Sequence, residues 1–138
     1  MPSIFTRIVN GEIPCYKVAE TQDFLAFLDI TPRTKGHTLC IPKQEIDYIF
    51  DLPDADLQAL MVFSKQVAAA IKTVVPCLKV GVAVVGLEVP HAHIHLFPMN
   101  SMGDFGFAHP AINMSGAELS ALAEEISRVY NHKDAALS

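Results

Sequence analysis

The sequence predicts an α+β fold, in which a five-stranded antiparallel sheet carries one long helix and a second helix at the C-terminus. Three observations lead to this prediction. Short apolar or alternating segments lie between Pro, Gly and Asp residues, as strands do. Residues 54–75 repeat apolar side chains at helical spacing. Three alternating histidines precede Pro98. The length of 138 residues is that of a single domain spanning 1–138.

The first half of the chain predicts one short helix and three strands. Apolar residues at helical spacing between Ile4 and Val9 predict a helix that ends before Gly11. Two strand-like segments follow, joined by a three-residue turn as in a hairpin, and a third such segment ends at a proline. These predicted strands are Cys15–Glu20, Phe24–Leu28 and His37–Pro42.

The second half begins with the clearest helical pattern. Pro53 and Asp54 are start signals, and Pro76 ends the helix. The continuous apolar run 80–85 is rich in β-branched residues and predicts a buried strand, which leads into the histidine strand 91–98. Residues 99–113 predict a loop that packs on the domain. Ser115 and Glu118 then form a capping box for the last helix.

Composition excludes several classes of protein. The net charge is −5 and no basic run is present, which argues against binding a nucleic-acid polymer. No apolar run is long enough to cross a membrane, and the N-terminus lacks the pattern of a secretory signal. The three cysteines are widely spaced without a Cys-x-x-Cys pair, as in reduced proteins. We therefore expect a cytoplasmic protein.

The histidine strand is the candidate functional element. Because successive strand side chains alternate between faces, His91, His93 and His95 share one face, while the apolar residues between them share the other. The row has three interpretations: a polar strand face, a metal site, or a site of nucleophilic catalysis at phosphorus, in which one neutral imidazole attacks and its neighbours donate hydrogen bonds. The residues alone leave the three open.

Four blocks of sequence, in order, resemble one known family. The run His-Ala-His-Ile-His-Leu-Phe-Pro at 91–98 resembles the histidine triad motif, in which histidines alternate with apolar residues. The blocks 4–14, 27–32 and 36–43 resemble further segments of the Hint-like bacterial branch of that family. The chain thus resembles members of the histidine triad (HIT) superfamily, and the resemblance implies the HIT-like fold.

The resemblance also implies an activity and partners. Hint-like proteins hydrolyse nucleoside 5′-phosphoramidates and related AMP conjugates through a covalent nucleotidyl-histidine intermediate. Two alternatives are a dinucleoside polyphosphate hydrolase and a nucleotide-binding module that turns over slowly. The implied ligand is a purine nucleotide, the implied assembly is a homodimer, and the scheme requires no cofactor.

Individual roles follow by position in the motif. The resemblance makes His93 the nucleophile, places His95 at the α-phosphate and leaving group, and gives His91 and His37 supporting roles. It assigns Asp29 to the ribose hydroxyls. It assigns an apolar slot for the base to Ile4, Phe5, Ile8, Phe27, Ile30 and Leu39.

Two departures from the family pattern bear on chemistry. Glu88 stands where Hint-like proteins carry a serine close to the leaving group, so we expect Glu88 to tune that group. Some bacterial relatives hold a structural zinc through two cysteines and two histidines. Ser3, Thr6 and Glu45 occupy three of those places here, and only His91 remains. The sequence therefore predicts no bound metal.

Overall fold

The computed structural model describes the backbone of residues 2–137 and the side chains of residues 2–132. An antiparallel sheet of five strands in the order β1-β2-β3-β5-β4 is combined with helices, which confirms the α+β prediction. The strands are β1 (Lys17–Glu20), β2 (Phe24–Leu28), β3 (Thr38–Pro42), β4 (Lys79–Ala83) and β5 (Ile94–Met99). The helices are α1 (Ile4–Val9), α2 (Asp54–Val74) and α3 (Gly116–Leu137), and single 3-10 turns occur at Ile49–Asp51 and Met102–Asp104.

The two long helices begin where the sequence places their start signals. Acidic residues in the first turn of α2 face the positive end of its dipole. The capping box of α3 is present, because the Ser115 N–H donates to Glu118 Oε1 at 2.9 Å and the Glu118 N–H donates to Ser115 Oγ at 3.1 Å. Both helices pack on the main core. No helix in the described part of the chain has the length and apolarity to cross a membrane.

The two faces of the sheet carry different layers. The main core contains Ala92, Ile94 and Leu96, packed with residues of α2 and α3. A smaller apolar cluster around Phe5 and Phe27 is separate from this core and includes residues of α1, β2 and β3. The histidines alternate with the core residues, so they belong to the side of the smaller cluster. The histidines therefore lie on the face opposite Ala92, Ile94 and Leu96, which confirms the alternation predicted from the sequence.

The histidine segment is less regular than predicted. Strand β5 begins at Ile94, so His91 and His93 lie in the approach to the strand and His95 lies within it. His91 instead makes a tight local turn, in which its N–H donates to the Val89 carbonyl at 2.8 Å. The ring centroids of His93 and His95 are nevertheless only 4.8 Å apart. The irregular entry brings these two rings together.

The strand predicted at 80–85 is present as β4 at Lys79–Ala83, but the prediction that it is buried is wrong. Strand β4 pairs only with β5 and forms an edge of the sheet. Val82 is 47% exposed, and Val85, beyond the end of the strand, is 52% exposed. A β-branched apolar run reports strand propensity, but it does not report whether a second element of the same chain covers the strand.

Candidate active site

Four buried imidazoles form the centre of the site. His91, His93 and His95 come from the entry to β5 and from β5 itself, and His37 comes from the turn before β3; all four are buried. His37, to which the resemblance gives a supporting role, contacts His95 of the triad. Since β3 and β5 are hydrogen-bonded neighbours, the two segments meet in the middle of the sheet.

Gly36 allows the chain to turn tightly into His37. Its φ of +93° lies in the left-handed region, and a Cβ there would stand 3.0 Å from Pro98 Cγ and 3.2 Å from Val75 Cγ2. Any other residue at this position would strain the backbone and press on these side chains. The glycine therefore permits the close approach of the His37 turn to the end of β5.

The protonation of His93 follows from its backbone partner. Its Nδ1 lies 2.7 Å from the His91 carbonyl oxygen, which can only accept a hydrogen bond. Nδ1 must therefore carry the proton, and in the neutral ring Nε2 keeps its lone pair. The Phe5 ring packs edge-on against the imidazole with centroids 5.1 Å apart. The ring is held by a hydrogen bond on one side and by an aromatic contact on another.

In His37 and His95 the ring proton is on Nε2, whereas in His93 it is on Nδ1. The Arg33 backbone N–H donates to His37 Nδ1 at 3.1 Å, so the proton of His37 is on Nε2. That N–H donates to His95 Nδ1 at 3.0 Å, which leaves the proton of His95 on its Nε2. His93 therefore offers a lone pair at Nε2, and its neighbour His95 offers an N–H at Nε2. This is the combination that nucleophilic attack on a phosphate requires.

Burial keeps these rings neutral. Burial, reinforced by the nearby His93 and His37, lowers the pKa of His95 to about 3. Burial also lowers the pKa of His37 to about 4, although the carboxylate of Asp29 acts in the opposite direction. The pKa of His91 is lowered as well, again mainly by burial. The tautomers deduced for His37 and His95 are therefore those present at neutral pH.

A hydrogen-bond network that the sequence did not reveal holds His91. Its Nε2–H donates to the Pro42 carbonyl at 2.8 Å, and its Nδ1 accepts from the Ser3 hydroxyl at 2.8 Å. Glu45 accepts from the Ser3 N–H and from the Thr6 hydroxyl, both at 2.6 Å. These two hydrogen bonds hold the Glu45 pKa at about 2. The network connects the first turn of α1 to the triad.

The same network bears on the zinc interpretation. Ser3, Thr6, Glu45 and His91 do come together, but three of them supply oxygen atoms where a structural zinc prefers thiolates and imidazoles. Both ring nitrogens of His91 already have partners. This set of donors does not fit a structural zinc.

A second group of possible metal ligands lies at the other end of the triad. Possible ligand atoms of Asp29, His37 and His95 all lie within 4.8 Å of one another. However, His37 Nε2 and His95 Nδ1 are hydrogen-bonded to each other, so a cation would have to replace that bond and take the proton from His37. The hydrogen-bonded pair satisfies both rings without a metal.

Asp29, which the resemblance assigns to the ribose hydroxyls, lies beside His37. Its Oδ2 is 3.7 Å from His37 Nε2. Its Oδ1 accepts hydrogen bonds from the Thr31 N–H at 2.8 Å and from the Thr31 hydroxyl at 3.0 Å, so the carboxylate also stabilises the turn after β2. The remaining acceptor capacity of Oδ2 is available to a sugar hydroxyl.

The predicted apolar slot is only partly assembled. Phe5, Phe27 and Leu39 belong to one buried cluster, with Ile8 packed against it. The Phe5 and Phe27 rings meet edge to face at 5.5 Å. Ile4 is exposed and Ile30 is 70% exposed, and neither belongs to this cluster. The structure thus provides a packed floor beside His93, with two exposed isoleucines nearby in the sequence.

Glu88 and a large cavity lie toward β4. Glu88 is exposed in the turn between β4 and His91, and it does not line the large cavity described next.

A cavity of about 880 Å³ reaches His93 from the side of α2. Most of its other lining is apolar and includes Tyr48, Phe50, Met61, Val85 and Leu87. Asp29 and the Phe5–Phe27 cluster do not line it. The cavity and the apolar cluster are therefore separate features, and each contacts His93.

Comparison with known proteins agrees with this geometry. The HIT domain profile matches residues 10–102. Adenosine 5′-monophosphoramidase hnt1 of Schizosaccharomyces pombe is 39% identical over 129 residues, which cover 92% of this chain and 97% of the relative.

Two solved structures also resemble the chain. A Hit-like protein from Bartonella henselae, described as involved in cell-cycle regulation, superimposes with a TM-score of 0.80 at 27% identity and covers 92% of this chain and 95% of that one. A zinc-bound histidine triad family protein from Mycobacterium smegmatis, at 24% identity, has the same fold with a TM-score of 0.83, covering 96% of each chain. The sequence match, the shared fold and the arrangement of four histidines agree, and the chain belongs to the HIT family.

Proposed function

We propose that the protein hydrolyses conjugates in which a leaving group is joined to the α-phosphate of a purine nucleoside 5′-monophosphate. The observation that supports this most strongly is the pair of opposite tautomers, with a lone pair on His93 Nε2 and a proton on His95 Nε2. Similarity to an adenosine 5′-monophosphoramidase over nearly the whole chain points to the same chemistry.

The reaction has two steps at phosphorus. In the first, His93 Nε2 forms a bond to the α-phosphorus, and the bond to the leaving group breaks. The leaving group takes that electron pair and a proton from water. His95 Nε2–H donates a hydrogen bond to a phosphoryl oxygen as its negative charge increases. The His91 carbonyl stabilises the positive charge on the substituted His93 ring by accepting from Nδ1–H.

In the second step, a water oxygen forms a bond to the same phosphorus and the N–P bond breaks, so His93 Nε2 regains its lone pair and the nucleoside monophosphate leaves. The proton of the attacking water passes to the solvent, which replaces the proton that the leaving group took in the first step. Asp29 accepts hydrogen bonds from the ribose, and the base lies on the apolar cluster that contains Phe5 and Phe27. The scheme requires no metal ion and no cofactor.

The decisive experiment combines a variant with a trapped adduct. Incubation with a slowly hydrolysed AMP conjugate is expected to add one AMP group to the peptide containing His93. His93→Ala is expected to abolish turnover while AMP binding persists, because the ring contributes chemistry rather than most of the nucleotide contacts. His132→Ala, at an exposed site on α3, is the control. An adduct on another residue, or turnover by His93→Ala, would contradict the proposal.

We also propose that two copies form a homodimer through β4 and α2. Strand β4 is a sheet edge with unpaired backbone groups, and the surface beside it is apolar: Phe50 is 71% exposed and Val62 is 54% exposed. A second copy on this face would also close the cavity that reaches His93. Light scattering is expected to give twice the chain mass, and Val82→Lys with Val62→Lys is expected to give the monomer mass. A wild-type monomer would contradict the proposal.

A further inference from the structure

The loop after β5 is held at both ends. At its start, Asn100 Oδ1 accepts from the Leu78 N–H at 3.0 Å, and Asp104 Oδ2 closes a local turn by accepting from the backbone N–H groups of Asn100 at 2.8 Å and Ser101 at 3.1 Å. At its end, the Ile112 N–H donates to the Pro32 carbonyl at 2.8 Å. We call residues 100–112 the strap. Its end is thereby held against the turn that carries His37.

The strap places the aromatic ring of Phe107 against His95. The Phe107 ring packs edge to face on His95 with centroids 4.9 Å apart, and on Phe97 with centroids 5.6 Å apart. Phe107 remains 42% exposed. Its exposed surface therefore lies beside His95.

Arg33 completes this wall. Its Nη1–H donates to the His109 carbonyl at 2.9 Å, and its guanidinium carbon lies 5.7 Å from the centre of the Phe107 ring. Its own backbone N–H holds His37. Two contacts therefore hold the half-buried guanidinium, and the backbone of the same residue binds His37.

Within the part of the chain whose side chains are described, no carboxylate forms an ion pair with this cation. Among the described residues, the ion pairs join Lys17 and Lys43 to Glu20 and His37 to Asp29, and none includes Arg33. The Asp104 carboxylate is occupied by backbone N–H groups. A half-buried guanidinium with spare N–H donors is suited to a bidentate contact with a phosphate. The charge of Arg33 already acts on this site, since it contributes to the lowered pKa of His37.

We propose that Arg33, held by the strap, binds an anionic leaving group, so that the favoured conjugates carry a further phosphate beyond the attacked phosphorus. This inference rests on the proposed function and specifies its substrate class. The guanidinium lies beside the ring that packs on His95, the residue that the proposed function places at the α-phosphate, and this position favours a contact with a phosphate attached to the α-phosphorus. An amine leaving group would gain nothing from this cation.

The test compares two substrates that differ in leaving-group charge. The value of kcat/KM is measured with adenosine 5′-phosphoramidate and with diadenosine tetraphosphate. Arg33→Gln is expected to lower kcat/KM for the tetraphosphate by about 10- to 100-fold and for the phosphoramidate by less than about 3-fold, the loss typical of one charge-assisted contact. Lys35→Gln removes an exposed charge from the same loop and is expected to change neither.

Equal losses on both substrates, or no loss on the tetraphosphate, would overturn the inference. A binding measurement separates it from the proposed function. Wild-type protein is expected to bind ADP more tightly than AMP, and Arg33→Gln is expected to lose that preference by about 10-fold or more. If wild-type protein cleaves neither substrate, the proposed function fails, and the ADP preference still decides the role of Arg33. Unchanged thermal unfolding of Arg33→Gln confirms that its fold is intact.

Discussion

The neutral state of the buried histidines predicts a protein that loses stability in mild acid. The pKa of His95 falls from an ordinary 6.5 to about 3, and that of His37 from 6.5 to about 4, chiefly because both rings are buried. Between these values and 6.5, the unfolded chain binds protons that the folded chain does not. The stabilisation is therefore complete above pH 6.5 and is lost as the pH falls toward 4 and 3.

The size of the effect depends on how far the pH falls below 6.5. At pH 5.0 an unfolded histidine is almost fully protonated while both folded rings remain mostly neutral. One pH unit per proton corresponds to about 1.4 kcal/mol, so each ring lowers the free energy of unfolding by about 2 kcal/mol between pH 8 and pH 5. The two rings together account for about 4 kcal/mol, which is a large part of the stability of a small domain.

Urea unfolding at pH 8.0 and pH 5.0 measures this difference directly. Wild-type protein is expected to lose at least about 4 kcal/mol, and His37→Gln and His95→Gln are each expected to lose about 2 kcal/mol less than wild type, because one titrating group has been removed. His132→Gln is the matched control, since it removes a histidine exposed on α3. If the His37 and His95 variants keep the full wild-type pH dependence, the two rings are not held neutral by burial.

Three further predictions concern the edges of the site. Ser3→Ala removes the donor to the buried His91 Nδ1, so it is expected to lower the free energy of unfolding by about 1–3 kcal/mol, while Ser120→Ala on the exposed side of α3 stays near wild type; equal values would contradict the role of the network. Glu88→Gln is expected to change the pH profile of kcat/KM if the carboxylate tunes the leaving group, and an unchanged rate and profile would remove Glu88 from the mechanism. Protein purified without chelators is expected to contain no stoichiometric metal by elemental analysis, and about one zinc per chain would refute this.

Local signals predicted the elements of the fold well. The hairpin β1–β2, the start of α2 and the capping box of α3 depend on residues close together in the chain, and their sequence signals are specific. The alternation of histidines likewise placed the imidazoles opposite Ile94 and Leu96. The error at β4 arose because coverage of an edge strand is not a local property.

The parts of the site that were not predicted from the sequence all depend on contacts between residues far apart in the chain. Glu45 reaches Ser3 across 42 positions, and Arg33 reaches His109 across 76. Ser3 has the local signal of a helix cap, but nothing near it in the sequence indicates that its hydroxyl also binds His91. Phe107 lies in a segment predicted only to be a packing loop. Its contact with His95 depends on where β5 ends and on how the loop crosses the sheet.

The Ser3 hydroxyl links the capping of α1 to the hydrogen bonding of the triad. It accepts from the Thr6 N–H at 3.0 Å and donates to His91 Nδ1 at 2.8 Å. A change that opens the first turn of α1, such as a proteolytic cut within that turn, would therefore also leave the buried His91 ring without its donor. Any loss of order in this short helix would alter the environment of a buried imidazole as well as the surface of the protein.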